Sequence, residues 1–182
     1  MSERLHLGCG KRDFGPGWTN IDVQDFPHVH LRHAVDNLPM VPTGSADLVY
    51  ACHILEHFML AEVPRVLQEW RRILKSGGVL RLSVPNFEAL VQIYKLTGRL
   101  KNIHGPIMGG QKGTVYDFHY SLWDVKTLHR FLKDAGFKEV RTWDWREVGH
   151  GEHDDYSQAY WPPFAKDDPD AILVSINIEA TK

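Results

Sequence analysis

The sequence predicts an α/β fold of the Rossmann-like, doubly wound kind: a mostly parallel seven-stranded sheet whose last strand is antiparallel. Three observations predict it. Leu5-His6-Leu7 runs directly into Gly8-Cys9-Gly10, an apolar strand opening on a glycine turn. Strand-like and helix-like segments then alternate along the chain, which implies parallel strands joined by crossovers. The last two strands follow one another with no helical pattern between them, and such a pair must run antiparallel.

Each element follows from its local pattern. Leu5–Leu7 is the first strand and Thr19–Val23 the second; Gly15-Pro16-Gly17 between them cuts the first crossover to a turn or so. Val29–Val35 carries a short third strand into Asp36-Asn37-Leu38-Pro39, and Ala46–Ala51 reads as a buried fourth. Val63, Val66, Leu67, Trp70, Ile73 and Leu74 recur at helical spacing, giving a helix over Val63–Lys75 capped by Ser76-Gly77-Gly78. Val79–Val84 is a strand stopped by Pro85, and Phe87–Leu96 a short helix. Thr97–Tyr116 is a loop rich in glycine (Gly98, Gly105, Gly109, Gly110, Gly113), and Leu122–Ala135 a helix closed by Gly136. Phe137–Trp145 and Ala171–Ala180 supply the last two strands. The chain is expected to form a single domain over 1–182, with insertions at about 97–116 and 144–170.

Composition excludes several function classes. A net charge of −2 gives no global basic field, so a nucleic-acid partner is not expected. No apolar run approaches a membrane span and no signal-peptide pattern opens the chain, so no membrane partner is expected either. Cys9 and Cys52 sit in apolar strand ends and read as buried thiols of a reducing compartment, the cytoplasm.

The glycine turn and the carboxylate of Asp22 carry the chemistry. Glycine lets a backbone turn pass close to a ligand, and a carboxylate at the end of the second strand can take both hydroxyls of a ribose. A dinucleotide fingerprint needs G-x-G-x-x-G, but the third position is Asp13, which repels a pyrophosphate. No G-x-x-x-x-G-K-[ST] occurs. A nucleoside cofactor without phosphates fits better, and S-adenosylmethionine is one.

These segments together resemble the class I S-adenosylmethionine-dependent methyltransferases, in their short type 11-like bacterial branch, along nearly the whole chain. Leu7-Gly8-Cys9-Gly10 is similar to the family's cofactor loop, and Gly17-Trp18-Thr19-Asn20-Ile21-Asp22 to its second strand. Asp36-Asn37-Leu38-Pro39 is similar to the turn beside adenine, and Asp47 to His57 to the strand-four signature. Arg72 to Gly78 and His119-Tyr120-Ser121 with Leu128–Phe137 match later turns. The resemblance implies a sheet order of 3-2-1-4-5-7-6 and S-adenosyl-L-methionine as cofactor. It implies cofactor contacts at Leu7, Gly8, Cys9, Gly10, Asp22, Val23, Asp36, Asn37, Leu38 and His53, with His53 also facing the acceptor.

Histidines are the candidate bases: His53, His57, His119, His150 and His153, with Asp117 nearby. His119, which precedes a helix near the expected acceptor mouth, and His53 are taken as the catalytic pair. His53-x-x-Glu56-His57 spells a zinc-peptidase motif, but it lies at a strand end rather than on a long helix, so no metal is expected. His150 to Asp155 reads as a solvated loop. No Asn/Asp-Pro-Pro-Tyr tetrad follows the fourth strand and neither cysteine is placed as a nucleophile, which disfavours amide, nucleobase-amine and cytosine acceptors.

The expected function is methyl transfer to a small-molecule or carbohydrate acceptor, as O-methylation. A cofactor-binding module without catalysis of its own, partnering another enzyme, is the alternative. A dinucleotide oxidoreductase is disfavoured by Asp13 and the terminal hairpin. No segment ahead of the first strand is available as a lid, so cover is expected from 97–116, from 144–170, or from another subunit of a homo-oligomer.

Overall fold

The protein is described by a computed structural model covering residues 3–111 and 114–182. In chain order the strands and helices are β1 (Arg4–Leu7), β2 (Trp18–Asp22), β3 (Leu31–Arg32), β4 (Ala46–Cys52), α1 (Val63–Ile73), β5 (Leu74–Pro85), α2 (Phe87–Thr97) and α3 (His104–Met108). There follow α4 (Val125–Asp134), β6 (Lys138–Thr142), β7 (Tyr160–Trp161), β8 (Ile172–Leu173) and β9 (Ser175–Thr181). The main sheet runs β3-β2-β1-β4-β5-β9-β6. All its pairings are parallel except those of β9, which is antiparallel to both β5 and β6. This is the expected order, with β6 and β9 as its sixth and seventh strands.

Several boundaries differ for local reasons. The first crossover contains no helix at all, and the third strand shrinks to two residues. Helix α1 ends at Ile73 because Leu74 is already extended (φ −69°, ψ 141°), so Ser76-Gly77-Gly78 lies inside β5 rather than capping the helix. There a Cβ on Gly78 would stand 3.0 Å from the carbonyl oxygens of Ala46 and Lys75. Helix α4 starts late because Asp124 caps it, accepting from the Thr127 amide at 2.6 Å. The segment 97–116 is more ordered in plan than a bare loop, with a 3-10 turn at Leu100–Asn102 followed by α3. Gly113 lies outside the described residues. The expected final strand Ala171–Ala180 is divided: β8 pairs with β7 in a separate two-stranded ribbon, and only β9 joins the sheet.

Strand alternation gives the sheet two unlike faces. Leu5, Leu7, Ile21, Val49, Ala51, Leu80, Leu82 and Ile178 point to one side, where they pack with Val66, Leu67 and Trp70 of α1 and Leu128 and Leu132 of α4. The Trp70 indole N–H finds the Val35 carbonyl at 2.9 Å, so this large side chain is buried without an orphan donor.

The residues in register on the other side, His6, Asn20, Tyr50, Arg81 and Glu179, are polar. They are covered by the β1–β2 loop and the chain after β6. Phe14 stacks on His6 at 4.1 Å and on His150 at 5.4 Å. The Tyr50 hydroxyl donates to Asp155 Oδ2 at 2.5 Å, the Asn177 amide to the Ser157 carbonyl at 3.0 Å, and Arg81 to Glu179 at 2.8 Å. The segment His150 to Asp155 is therefore not a solvated loop: both end residues are buried against the sheet. With the crossover helix cut short at Gly15-Pro16-Gly17, aromatic stacking and a hydrogen-bonded loop seal this part of the sheet.

Candidate active site

Two cavities meet at the C-terminal ends of the parallel strands, where an open α/β sheet leaves a crevice beside its topological switch point. The first, of about 470 Å³, is lined by Gly8, Gly10, Asp22, Val23, Asp36, Ile54 and Phe58, among others. The second, of about 440 Å³, is lined by Gly105, Pro106, Gly109, Gly110, His119, Ala159 and Val174. His53, His57, Asp117 and Tyr156 belong to both walls.

The first cavity is organised by Asp22. Its Oδ2 accepts from the Gly10 amide at 2.7 Å and its Oδ1 from the Gln24 amide at 2.8 Å. Each oxygen keeps a further lone pair, and the carboxylate lies in the cavity wall. Gly8 adopts φ +61°, and a Cβ there would come within 1.9 Å of Ile54 Cδ1, so the turn has room for no side chain. Asp36 is held by Arg65, whose guanidinium donates to Oδ2 at 2.7 Å. Arg12 is the one arginine or lysine in this wall among the described residues, against the three carboxylates of Asp22, Asp36 and Asp117; its guanidinium lies over the Tyr156 ring and donates to the Asp154 carbonyl. Such a balance suits a ligand without phosphates.

Four residues expected around the cofactor stand outside this wall. Leu7 and Leu38 put their side chains in the apolar core, because each fills the position that anchors its turn. Leu38 also donates its amide to Glu69 Oε1 at 2.6 Å. Cys9 is buried beneath the loop, where desolvation and the Asp22 charge push its thiol up to about 12. Asn37 is exposed at the surface. Arg12, Gln24, Ala34, Val35 and Phe58 also line this wall; they carry no motif of their own and reach it only through folding, while Tyr156 comes from the 144–170 segment expected to cover the site.

The shared wall is a cluster of three imidazoles around one carboxylate. His53 ends β4 with φ +55°, placing its ring between the cavities. Its Nε2 lies 2.9 Å from Ser175 Oγ, whose only proton is donated to the Tyr156 carbonyl at 2.6 Å. The Ser175 oxygen can then only accept, so His53 Nε2 carries a hydrogen and Nδ1 faces Glu56 Oε1 at 3.1 Å. His57 Nδ1 lies 2.9 Å from the Phe118 carbonyl and His119 Nδ1 2.9 Å from the Pro106 carbonyl. Both Nδ1 atoms must be N–H donors, which leaves Nε2 as the ring nitrogen of each that no main-chain group takes. His119 Nε2 stands 3.9 Å from Glu56 Oε1.

Glu56 itself is fully buried, and neither of its oxygens makes a well-aligned hydrogen bond. Burial pushes its carboxyl up, but His53, His57 and His119 outweigh that and hold it below the ordinary value. Burial lowers His119, against the pull of Glu56, and keeps its imidazole neutral. The Glu56 carbonyl accepts from the Tyr120 amide at 2.8 Å and the Ser121 amide at 3.2 Å, pinning the His119 segment beside it.

Residues 16–82 match the model of a methyltransferase domain family, the type 11 kind. The whole chain superimposes on a S-adenosylmethionine-dependent methyltransferase from Archaeoglobus fulgidus, covering 86% of that chain with a TM-score of 0.61 at 17% identity. The fold is that of the class I methyltransferases, and the family match lies over residues 16–82 of it. A second similar structure is 1,6-didemethyltoxoflavin-N1-methyltransferase of Burkholderia thailandensis, solved with bound 1,6-didemethyltoxoflavin and S-adenosylhomocysteine. It matches at TM-score 0.58 and 13% identity over all of this chain and 71% of its own. A third is a putative methyltransferase of Haloferax volcanii in complex with the Trm112 activator, at TM-score 0.55 and 16% identity over 99% of this chain and 82% of its own. At these identities the likeness is one of fold. No curated protein matches the chain.

The Burkholderia structure of the same fold holds S-adenosylhomocysteine, and the expected cofactor here is S-adenosylmethionine. The first cavity fits it in size and in donor set: ligand pockets of this class run to about 300–1,000 Å³, and its wall joins apolar Val23, Val35 and Phe58 to carboxylates that suit a sulfonium-bearing nucleoside. Among the described residues, no helix is long and apolar enough to cross a membrane.

Proposed function

We propose that the protein methylates a hydroxyl of a small-molecule or carbohydrate acceptor bound in the second cavity. One observation carries the reading: a neutral imidazole, His119, is fixed by Pro106 with its Nε2 lone pair bare, in a cavity that shares a wall with the cofactor's. A hydroxyl becomes a good nucleophile as its proton is taken, and a positioned histidine is the usual acceptor. The cofactor supplies a methyl group on a good leaving group. Asp22 holds its ribose and Asp36 its adenine edge, while Gly8 and Gly10 let the chain approach. The acceptor oxygen gains the methyl group as its proton passes to His119 Nε2, and His53 orients the shared wall. Tyr156, with Asp117 and the histidines, offers an aromatic face among polar groups, a surface suited to a polyhydroxyl compound. The two free cysteines support a reducing compartment, the cytoplasm.

Production of S-adenosylhomocysteine on a panel of sugars, nucleotide-sugars and small phenols tests the reading. His119→Ala is expected to slow turnover by roughly a hundredfold with S-adenosylhomocysteine affinity unchanged; full turnover in that variant removes His119 as the base. A second reading, a cofactor-binding module that works with a partner, is favoured by large exposed apolar side chains at Leu96, Leu100, Tyr116 and Leu122. It requires cofactor binding without turnover on any acceptor by the chain alone.

A further inference from the structure

Glu56 poses a question that proton transfer leaves unanswered. A buried carboxylate with no hydrogen bond is costly unless a compensating positive charge lies beside it. Three imidazoles surround this one, yet the nitrogens nearest its Oε1, His53 Nδ1 at 3.1 Å and His119 Nε2 at 3.9 Å, are the ones left without a hydrogen by the bonds their rings make elsewhere. The ligand-capable atoms of Glu56, His57 and His119 all lie within 4.8 Å of one another. The His57 and His119 rings meet edge to face at 4.8 Å between centroids, so they approach from different directions. Each donates its Nδ1–H to a main-chain carbonyl, Phe118 or Pro106, the outer contact that fixes the tautomer of a metal-binding histidine.

We propose that Glu56, His57 and His119 bind a divalent transition-metal ion, Zn²⁺ by the character of two imidazole nitrogens and one carboxylate oxygen. Three protein ligands and one open position make a catalytic rather than a structural zinc site. His53, whose Nδ1 lies 3.1 Å from Glu56 Oε1, stands beside it as a further nitrogen donor. Tetrahedral zinc at its usual bond lengths sets ligand atoms about 3.3 Å apart, so binding draws the three groups closer by an ångström or so of side-chain movement. The spelling His53-x-x-Glu56-His57 is then a coincidence with the zinc-peptidase motif. Here Glu56 and His57 are ligands on a 3-10 turn, and the third comes from His119, 62 positions downstream of His57 in the chain. The expectation of no metal rested on the missing long helix. The fold supplies the downstream ligand without one.

The site faces the second cavity, through His57 and His119. Its open position would take an acceptor oxygen and lower the pKa of a hydroxyl bound there. The acceptor class narrows accordingly to compounds that present a hydroxyl, or a hydroxyl and a neighbouring oxygen, to a cation. That last step rests on the methyl-transfer reading, and with the ion bound His119 serves as a ligand while the hydroxyl proton leaves to water.

The test uses the full chain without cofactor. Equilibrium dialysis against Zn²⁺ with metal analysis, and Co²⁺ absorption in the visible as a second measurement, are compared for wild type, His57→Gln and His119→Gln. Circular dichroism and S-adenosylhomocysteine titration verify that each variant is folded. The expected result is a single ion per chain, with affinity falling by at least about a hundredfold in either variant, the upper end of what losing an outer partner costs. Mg²⁺, which prefers oxygen donors, should not compete. No stoichiometric Zn²⁺ binding, or binding unchanged in both folded variants, overturns the proposal. Turnover that survives chelation and metal-free dialysis but fails in His119→Gln would overturn the metal's role while leaving methyl transfer intact.

Discussion

Asp22 holds Gly10: the carboxylate at the end of β2 accepts the amide of the loop that follows β1, at 2.7 Å. The residue expected to bind ribose therefore also shapes the glycine turn, and its replacement acts twice. Asp22→Ala should weaken S-adenosylhomocysteine binding by about 10- to 100-fold, the worth of a hydrogen bond to a charged group, and should also lower the melting temperature, since the Gly10 and Gln24 amides lose their acceptor. Asp22→Asn keeps one acceptor oxygen and should lose less stability than affinity. Calorimetric titration and thermal melts of both variants decide this. Wild-type affinity in Asp22→Ala would remove Asp22 from the cofactor site.

Gly8 is constrained by Ile54 as much as by any ligand. A Cβ at φ +61° costs roughly 1–2 kcal/mol by itself, and it would collide with Ile54 Cδ1. Gly8→Ala should be less harmful to stability in an Ile54→Ala background than in the wild type, with a coupling on the order of 0.5–2 kcal/mol. Denaturant unfolding of the two single variants and the double variant measures it; strict additivity would show that Ile54 moves aside freely.

His6 and His150 make stability depend on pH. Burial pulls the first down to about 3 and the second to about 4. An unfolded histidine titrates near 6.5, so between that value and 4 the unfolded chain binds more protons than the folded one. Stability is thus complete above about pH 6.5 and falls as the pH drops towards 4, by several kcal/mol on the scale of about 1.4 kcal/mol per unit. Urea midpoints at pH 7.5 and 5 should show the loss, and His150→Asn should flatten it. An unchanged slope in that variant would mean that His150 does not titrate in this window.

Tyr116 and Tyr156 bring the two long connections to the first cavity from opposite parts of the chain. Hydrogen exchange with and without S-adenosylhomocysteine should show new protection around 114–119 and 153–159 as well as around Gly8 to Asp36. Protection confined to Gly8–Asp36 would mean that neither connection covers the cofactor, and would point to a second subunit.

The succession of strands and the glycine turn were legible in the sequence because both are written locally, whereas the order of the strands in the sheet was implied by the resemblance. Leu5-His6-Leu7-Gly8-Cys9-Gly10 needs nothing beyond itself to read as a strand entering a tight turn, and Asp22 follows at a fixed short distance. The helix Val63–Ile73 declares itself by spacing alone. Boundaries were less legible where a single long-range contact set them, as with Gly78, whose packing on the Ala46 carbonyl draws Ser76–Gly78 into the strand.

Local sequence also determined the missing crossover helix, since Gly15-Pro16-Gly17 cannot propagate one. It could not say what replaces that helix. Only the tertiary structure decided that His150 and Asp155 are buried rather than solvated, because the polarity of the segment is matched by Arg81 and Tyr50 on strands far away in the chain. The same holds for the site. His53, Glu56 and His57 were visible as a motif, but the meaning of that motif depends on which lone pairs are free. That is set by the carbonyls of Pro106 and Phe118, by Ser175 on β9, and by the arrival of His119 beside a carboxylate it meets only in the folded chain.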